Sequence, residues 1–465
     1  MRGMTPQKTI SIIGGGLSGA LVLINLLRQQ TATPQTIKWI EKTGEFGTGI
    51  AYSTDKDYHL LNVPANAMGL YHDRPTHFHE WLLQNGYQYS EHDYVPRKIY
   101  AGYIQEELTH YLKNNRNSMV HLLHGEVKDI ESNHNGYWVI LSNNKRFQSD
   151  EIVIATGNTI PVPPALRDMT YTQHPSYHNN PWEKATNQFM RRNDDILLIG
   201  TGLTTVDHLL DLYHQDHKGN IYALSRNGYL PFTHYPCSRH QQYPDYTHEL
   251  IATSDISKIY SIIRQHIRKG IKAGIDWRIV LDAIRPTLPK IWNSLPLEQK
   301  KQFHKRLHAL WNVARHRIPV LCADIIHSMK EKKQLRILGG RIAEIRNTGN
   351  EFEVTYTSRK SGLQETIRVQ KIINCSGPPF PAHDNSPLFK NLRERSMLCP
   401  DELGIGWNAT ADGRIMNRGQ EIITGLYTIG SGLKGILFES TALPELRQQA
   451  YALAQLIINT HAKVA

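Results

Sequence analysis

The feature that most constrains this chain is a β-branched run that ends in a cluster of glycines and continues as an apolar helix. Residues 9–13, Thr-Ile-Ser-Ile-Ile, read as a buried parallel strand. They lead into Gly14-Gly15-Gly16-Leu17-Ser18-Gly19, a G-x-G-x-x-G match, and residues 20–27 read as a helix. Gly14 permits a tight turn, Gly16 lets a pyrophosphate reach the backbone, and Gly19 lets helix and strand pack closely. The helix N-terminus presents unpaired N–H groups to phosphate. A second strand, residues 36–40, ends at Glu41, 22 residues beyond Gly19, where a carboxylate meets a ribose hydroxyl. A Gly-rich turn in an ordinary α/β protein matches the glycines but not the whole series. Glu41 repels a 2′-phosphate, so the expected ligand has a free 2′-hydroxyl, as FAD and NAD do.

The pattern returns. Residues 195–199 form another apolar strand, followed by Gly200-Thr201-Gly202-Leu203-Thr204-Thr205 and a helix to residue 212. Thr205 stands at the third glycine position, which predicts a looser helix–strand contact. The next strand, residues 220–225, ends at Ser225 and is followed by Arg226, 24 residues after Gly202. An arginine there suits the 2′-phosphate of NADP; the alternative is a turn arginine with no ligand. Residues 125–131, 135–141 and 151–157 form a β-meander and a buried strand ending in Ala155-Thr156-Gly157, and residues 340–346, 350–356 and 371–377 repeat it, ending in Cys375-Ser376-Gly377. A duplicated unit with two such turns implies two dinucleotides placed for hydride transfer.

The 465 residues carry a net charge of +11. Residues 258–336 alone hold 18 Lys and Arg against 5 Asp and Glu, a net of +13 that exceeds the chain's total. That excess reads either as solvated helix faces or as a field that draws an anionic substrate; nucleic acid and membrane are not the expected partners. The cysteines, Cys237, Cys322, Cys375 and Cys399, form no C-x-x-C pair, which argues against zinc ribbons and dithiol redox centres. No metal site is expected; His77 and His79 read as surface histidines and Cys375 as a small packed hydrophobe. Residues 10–27 are mostly apolar, but four glycines crowd their centre, so a soluble, cytoplasmic protein is expected.

With these residues in place, the chain resembles the two-dinucleotide-binding-domain flavoproteins over nearly its whole length. The resemblance implies an α/β fold with two Rossmann-like, GR2-type dinucleotide-binding domains, each with a β-meander, plus a helical insertion. The implied divisions are 1–164 with 378–465 for FAD, 165–250 with 334–377 for NAD(P)H, and 251–333 for a helical substrate cover. Ala155-Thr156-Gly157 is similar to the A-T-G crossing beside the flavin. Gly430 lies in a stretch similar to the closing loop, with Ser431 where an acidic residue often stands. Segments 47–54, 60–65, 95–97, 225–226 and 438–447 resemble a bacterial FAD/NAD(P)-binding family near the N-hydroxylating and class B flavin monooxygenases. Lys42, Tyr52, Leu61, Val127, Gly377 and Leu437 complete the implied cofactor-binding set. Asn62 matches an asparagine beside the flavin; the alternative is a turn residue capping the backbone before Pro64. His178 and Trp182 keep the spacing of the Baeyer–Villiger fingerprint, but His174 replaces its glycine.

The residues from about 255 to 333 read as helices, with Phe303, Leu307, Leu310, Trp311 and Ala314 on one apolar stripe and Pro296 and Pro319 at helix starts. Arg315-His316-Arg317 reads either as a carboxylate clamp or as a favourably charged helix end. The expected activity is an FAD-dependent, NADPH-using oxidoreductase. The specific expectation is a monooxygenase using molecular oxygen on a small polar or carboxylate-bearing substrate. The alternatives are an NAD(P)H-dependent reductase without oxygen insertion and a non-catalytic nucleotide sensor.

Overall fold

A computed structural model of the chain describes residues 8–29, 34–183, 186, 191–235 and 242–462. Cys237 lies outside the described residues. The first half builds strands β1 (Lys8–Ile13), β2 (Gln35–Glu41), β3 (Ser118–His124), β4 (Val127–Asn133), β5 (Gly136–Leu141), β6 (Arg146–Ser149) and β7 (Glu151–Ile154). The second half adds β8 (Tyr177–His178), β9 (Ile196–Ile199), β10 (Ile221–Ser225), β11 (Leu335–Asn347), β12 (Phe352–Ser358), β13 (Gln364–Val369) and β14 (Lys371–Asn374). Two more, β15 (Arg414–Met416) and β16 (Ile422–Thr428), return to the first half.

The first sheet runs β15-β16-β7-β1-β2-β3. Its central strand β1 pairs in parallel with β2 and β7, so both its faces are covered and Ile10 and Ile12 are fully buried. Helices Leu17–Arg28 and Leu443–Ala462 pack on one face, with Leu21, Leu446 and Leu453 in a common core. The meander β4-β5-β6 covers the other, joining Val139, Ile152 and Leu426 in a second core.

The second sheet runs β13-β12-β11-β10-β9-β14-β8. It repeats the first arrangement, with β8 where β16 and β15 stand and with a different join to the meander. In the first half, Gly125 and Glu126 separate β3 from β4, and the meander is its own sheet. In the second, β11 runs unbroken from its parallel pairing with β10 into its antiparallel pairing with β12. Gly339 and Gly340 mark that change of partner: a Cβ on Gly340 would press on the Thr357 carbonyl.

The helices between β10 and β11 form a subdomain with its own core, which includes Leu250, Ile259, Val280, Leu288, Trp292 and Phe303. Asp255 and Asp276 cap two of its helices, accepting from Ser257 N and Arg278 N. The apolar stripe is split at Leu307 between helices Leu297–Arg306 and His308–Arg315, and both halves still face this core. The expected insertion 251–333 needs correction at its C-terminal end. Helix Val320–Glu331 packs Cys322, Ile326 and Met329 against Val206, Leu209 and Ile221. It is the crossover helix of the second sheet, because β10 and β11 are parallel neighbours and need one. At the other end the subdomain's first helix, Thr247–Ile251, begins before residue 251.

Candidate functional site

The two glycine turns have one geometry. Gly14 and Gly200 have φ of +114° and +116°, a region closed to most side chains. Gly14 N donates to Ile40 O at 2.9 Å, and Gly200 N donates to Leu224 O at 2.8 Å. A Cβ on Gly14 would strike the Ala155 carbonyl, and one on Gly200 would strike the Cys375 carbonyl. Each turn therefore rests on the small-residue end of its own β7 or β14. The helices that follow start at Gly16 and Gly202, both extended and without a side-chain cap, which leaves their first N–H groups to a ligand. Leu17 and Leu203 are the first residues of these helices, and Ser18 and Thr204 follow them.

The third position of each motif differs. A Cβ on Gly19 would strike Gly14 O. Thr205 has that carbon, and its hydroxyl donates to Gly200 O at 2.8 Å. The contact expected to be loosened by Thr205 is thus stitched by a hydrogen bond at a fully buried residue.

Around the first turn, Glu41 accepts from Gly15 N at 2.6 Å and from Thr43 N and Oγ1 at 3.0 Å each. Lys42 is exposed beside it. Val127 is buried at the start of β4, two residues beyond Gly125, whose N–H donates to Glu41 O. Tyr52 is half-buried beside Tyr100, and burial pushes its phenol up to about 12. Ala155 N donates to Ile13 O, and Thr156 and Gly157 follow at the open end of β7. Gly430 meets Ser18: a Cβ on Gly430 would lie 3.3 Å from Ser18 Oγ. Ser431 Oγ donates to Gly157 O at 3.0 Å. Three expected segments, 14–19, 155–157 and 430–431, therefore converge. Gly157, Gly202 and Gly377 have nothing within 4 Å of a would-be Cβ, so these turns face open space. Leu437 ends the short helix Lys434–Leu437. A carboxylate does stand under this loop, from a distant part of the sequence: Asp401, buried, accepts from Leu403 N and Ile405 N and leaves no room for a Cβ on Gly435.

Around the second turn, Ser225 Oγ shares a 2.8 Å hydrogen bond with Thr201 Oγ1 and accepts from Gly228 N. Arg226 is exposed, with no ion-pair partner among the described residues. Arg359, which sequence reasoning missed, donates to Asn227 Oδ1 and stands 5.8 Å from the centre of the Tyr229 ring. Its signal lay in the meander repeat, one residue past β12, where topology alone brings it beside Arg226.

Asn62 sits where the halves meet. Leu61 N donates to Val95 O at 2.9 Å, so the segments around residues 60–65 and 95–97 lie side by side. Arg97 Nε donates to Leu60 O at 3.0 Å, and its two terminal nitrogens bind Asp207 at 2.8 and 2.7 Å. Asp207 belongs to the helix that starts at Gly202, so this buried fork ties Asn62's segment to the second turn. Although burial opposes its charge, the Asp207 carboxylate holds Arg97 above the ordinary arginine range. Tyr58 OH and His59 Nε2 reach Asp211 Oδ1, one turn further, at 3.0 and 3.2 Å. From the second half, His234 Nε2 lies 3.0 Å from Asn62 O, and burial pushes this imidazole down to about 4. A neutral His234 therefore donates that bond. Asn62's own amide makes no hydrogen bond among the described residues, so a backbone-capping role has no contact to rest on.

Other expected residues take structural places. His77 meets Tyr103 OH at 2.7 Å and His79 meets Tyr89 O at 3.2 Å; both are half-buried rather than surface groups. His178 is buried in β8, and burial pushes it down to about 4. Cys375 is buried in the core of the second sheet. Arg317 forks onto Asp282, and Arg315, half-buried, lies 3.9 Å from Glu445. Among the described residues no cluster could hold a metal ion, and no helix is long and apolar enough to cross a membrane.

Residues 11–159, which hold the first turn, Glu41, Asn62 and the A-T-G end of β7, match a family model described as FAD-NAD(P)-binding. Among solved structures, a Kutzneria sp. 744 ornithine N-hydroxylase superposes over 98% of this chain and 100% of its own, at TM-score 0.66 and 13% identity. DfoA, the cadaverine monooxygenase of Erwinia amylovora, superposes over 97% of this chain and 95% of its own, at TM-score 0.66 and 15% identity. The fold is that of the two-dinucleotide-binding-domain flavoproteins. In sequence, the uncharacterized protein YdhS of Escherichia coli (strain K12) is 26% identical over 270 residues. That match takes in 50% of this chain and 48% of YdhS, about half the length of each.

Proposed function

We propose that this flavoprotein-fold chain is an FAD-dependent, NADPH-using oxidoreductase of the monooxygenase kind. Its substrate is a small polar molecule, and N-hydroxylation is the reaction to test first. The observation that carries the reading is the pair of matching, open glycine turns in one chain, joined by the Arg97–Asp207 fork. The residues fit their groups. Gly16 and Gly157 leave backbone room for the FAD pyrophosphate, and Glu41 is placed for a ribose hydroxyl once it leaves Gly15 N. Gly202 and the N–H groups of Leu203 and Thr204 receive the second pyrophosphate, and Arg226 with Arg359 takes the 2′-phosphate. When bound, the flavin would supply the redox chemistry, with NADPH as the reductant and oxygen as the oxidant. The chain's part is to align the two cofactors and exclude water. Asn62 has a free amide for the ligand, while Arg97 and His234 position its backbone. An ornithine N-hydroxylase and a cadaverine monooxygenase share this fold over nearly their full length, which supports the subtype.

The test is NADPH oxidation by the purified protein against a panel of primary amines and amino acids, with oxygenated product and peroxide both quantified. Product formed in step with NADPH supports the proposal. Peroxide alone with every panel member reduces it to a reductase without oxygen insertion. A colourless protein that takes up no FAD removes it. Arg226→Ala should raise KM for NADPH about 10- to 100-fold, the worth of a charge-assisted contact, and leave NADH unchanged; equal effects on both exclude a phosphate contact.

A further inference from the structure

The helical subdomain carries an apolar cavity open to solvent. Among the described residues, a cavity of about 300 Å³ is lined by side chains such as Ile259, Ile263, Leu288, Trp292, Trp311 and Phe438. The cavity opens to solvent at exposed Leu310 and Arg264, so a ligand can enter it. It matches the lower end of the range for small-molecule pockets. The walls are apolar by arrangement as well as composition. Trp292 Nε1 donates outward to Gly435 O at 2.9 Å, and Trp311 Nε1 donates outward to Glu439 Oε1 at 2.8 Å. Both indoles thus spend their polar edges on the C-terminal loop and give hydrocarbon to the cavity. Such walls favour apolar guests.

One wall is held under strain. Phe438 has φ +65° and ψ −66°, and Glu439 N donates to Leu437 O at 2.8 Å across it. This is the rarer, strained γ-turn, at a bulky residue that seldom adopts positive φ. The turn delivers the Phe438 ring into the subdomain, stacked on Trp292 at 4.6 Å and edge-on to Phe303 at 5.2 Å. The rim differs in kind. Arg264 is the one charged side chain among the described lining residues. It is exposed, lies 5.7 Å from the centre of the Tyr260 ring, and has no ion-pair partner among the described residues.

We infer that the helical subdomain binds a single-chain anionic amphiphile, a medium-chain carboxylate with its hydrocarbon in the cavity and its head group at Arg264. A cavity of this volume is the size of a small-molecule site rather than of a long lipid chain. The inference stands apart from the flavin reading, because every contact it uses lies in the insertion and its wall.

Isothermal titration of the full-length protein with hexanoate, octanoate, decanoate and decyltrimethylammonium tests it, with flavin content read on the same samples so that the two readings fail separately. One equivalent of decanoate should bind. Affinity should rise about four-fold per methylene from hexanoate to decanoate, from the burial of each CH₂. The cation should bind more weakly, by up to about five-fold for a rim ion pair. Ile263→Trp fills the cavity and should cost decanoate at least about ten-fold, the equivalent of two lost methylenes. Leu310→Trp, at a more exposed lining position, serves if Ile263→Trp does not fold. Arg264→Glu should reverse the preference between carboxylate and cation and keep the chain-length dependence. Affinity that ignores chain length, decanoate binding unchanged in a folded cavity-filling variant, or indifference to the head group in both wild type and Arg264→Glu overturns the inference.

Discussion

Replacing Arg97 by methionine tests how the two halves are held. The change keeps an unbranched apolar stem and removes the guanidinium. Asp207, with a side chain only 5% exposed, would then hold a buried charge with no cation. Removing one partner of a buried pair costs about 3–5 kcal/mol, and the lost donor to Leu60 O adds about 1 kcal/mol. At roughly 2 cal/mol/K per residue, a chain this long has an unfolding entropy of about 1 kcal/mol/K. The expected fall in melting temperature is therefore about 3–6 °C. Arg97→Met combined with Asp207→Leu leaves no stranded ion, and apolar replacement of a buried pair is close to neutral. The double variant should melt within about 2 °C of the parent. Thermal unfolding followed by circular dichroism reads the stability. Flavin absorbance on the same samples should stay at parental level, since the first turn is untouched, while NADPH oxidation falls because Asn62 and the second turn lose their common anchor. A double variant as unstable as Arg97→Met, or a single variant that melts within about 1 °C of the parent, refutes the charge argument and leaves Arg97 as a packing residue.

Two further outcomes follow from the site. Gly202→Val should fold normally, since nothing lies within 4 Å of a Cβ there, keep its flavin, and lose NADPH binding by obstructing the pyrophosphate; unaltered NADPH saturation means the second turn holds no dinucleotide. Burial holds His234 at about 4, below the ~6.5 of an unfolded histidine. The unfolded chain therefore binds a proton that the native chain refuses, so this contribution is whole above pH ~6.5 and is lost as pH falls toward 4. His234→Gln, which keeps a donor for Asn62 O, should flatten the acid loss of stability in that window by up to about 1.4 kcal/mol per pH unit. Urea titrations across the window read it, and an unchanged slope contradicts the assignment.

The parts legible in the sequence were those that local chemistry dictates. A β-branched run ending in Gly14 has little choice but a strand and a tight turn, and the repeat at Gly200 doubles that constraint. The meanders were readable because alternation at Phe352, Val354 and Tyr356 fixes which face is buried. The crossover role of helix Val320–Glu331 was not readable. Its apolar spacing differs little from that of the insertion helices, and only the parallel pairing of β10 with β11 requires a helix there. Arg359 and Asp401 were hidden for a related reason: strand order brings Arg359 to the second turn from more than a hundred residues away, and a returning loop brings Asp401 under Gly435 from 34 residues away, which no local pattern records.

The basic insertion shows what composition leaves open. Its excess of Lys and Arg reads either as solvated helix faces or as a field around an anionic site, and the same helices line an apolar cavity with one cation among the described rim residues. Both properties come from amphipathic helices such as Ile256–Lys272, which buries Ile256 and Ile259 and leaves Lys258, Arg264 and Arg268 to solvent. Charge is counted along the chain, but a ligand meets it by face. Lys258 and Arg268 are absent from the cavity wall, whereas Arg264, one or two turns away on the same helix, reaches it. Of the positive charge in residues 258–336, most can act on a ligand only through solvent, where it is screened within about 8–10 Å. A single guanidinium at the rim has direct contact within reach. The head-group preference should therefore follow residue 264 rather than the net charge: Lys258→Glu, which changes the total as much as Arg264→Glu does, should leave it in place.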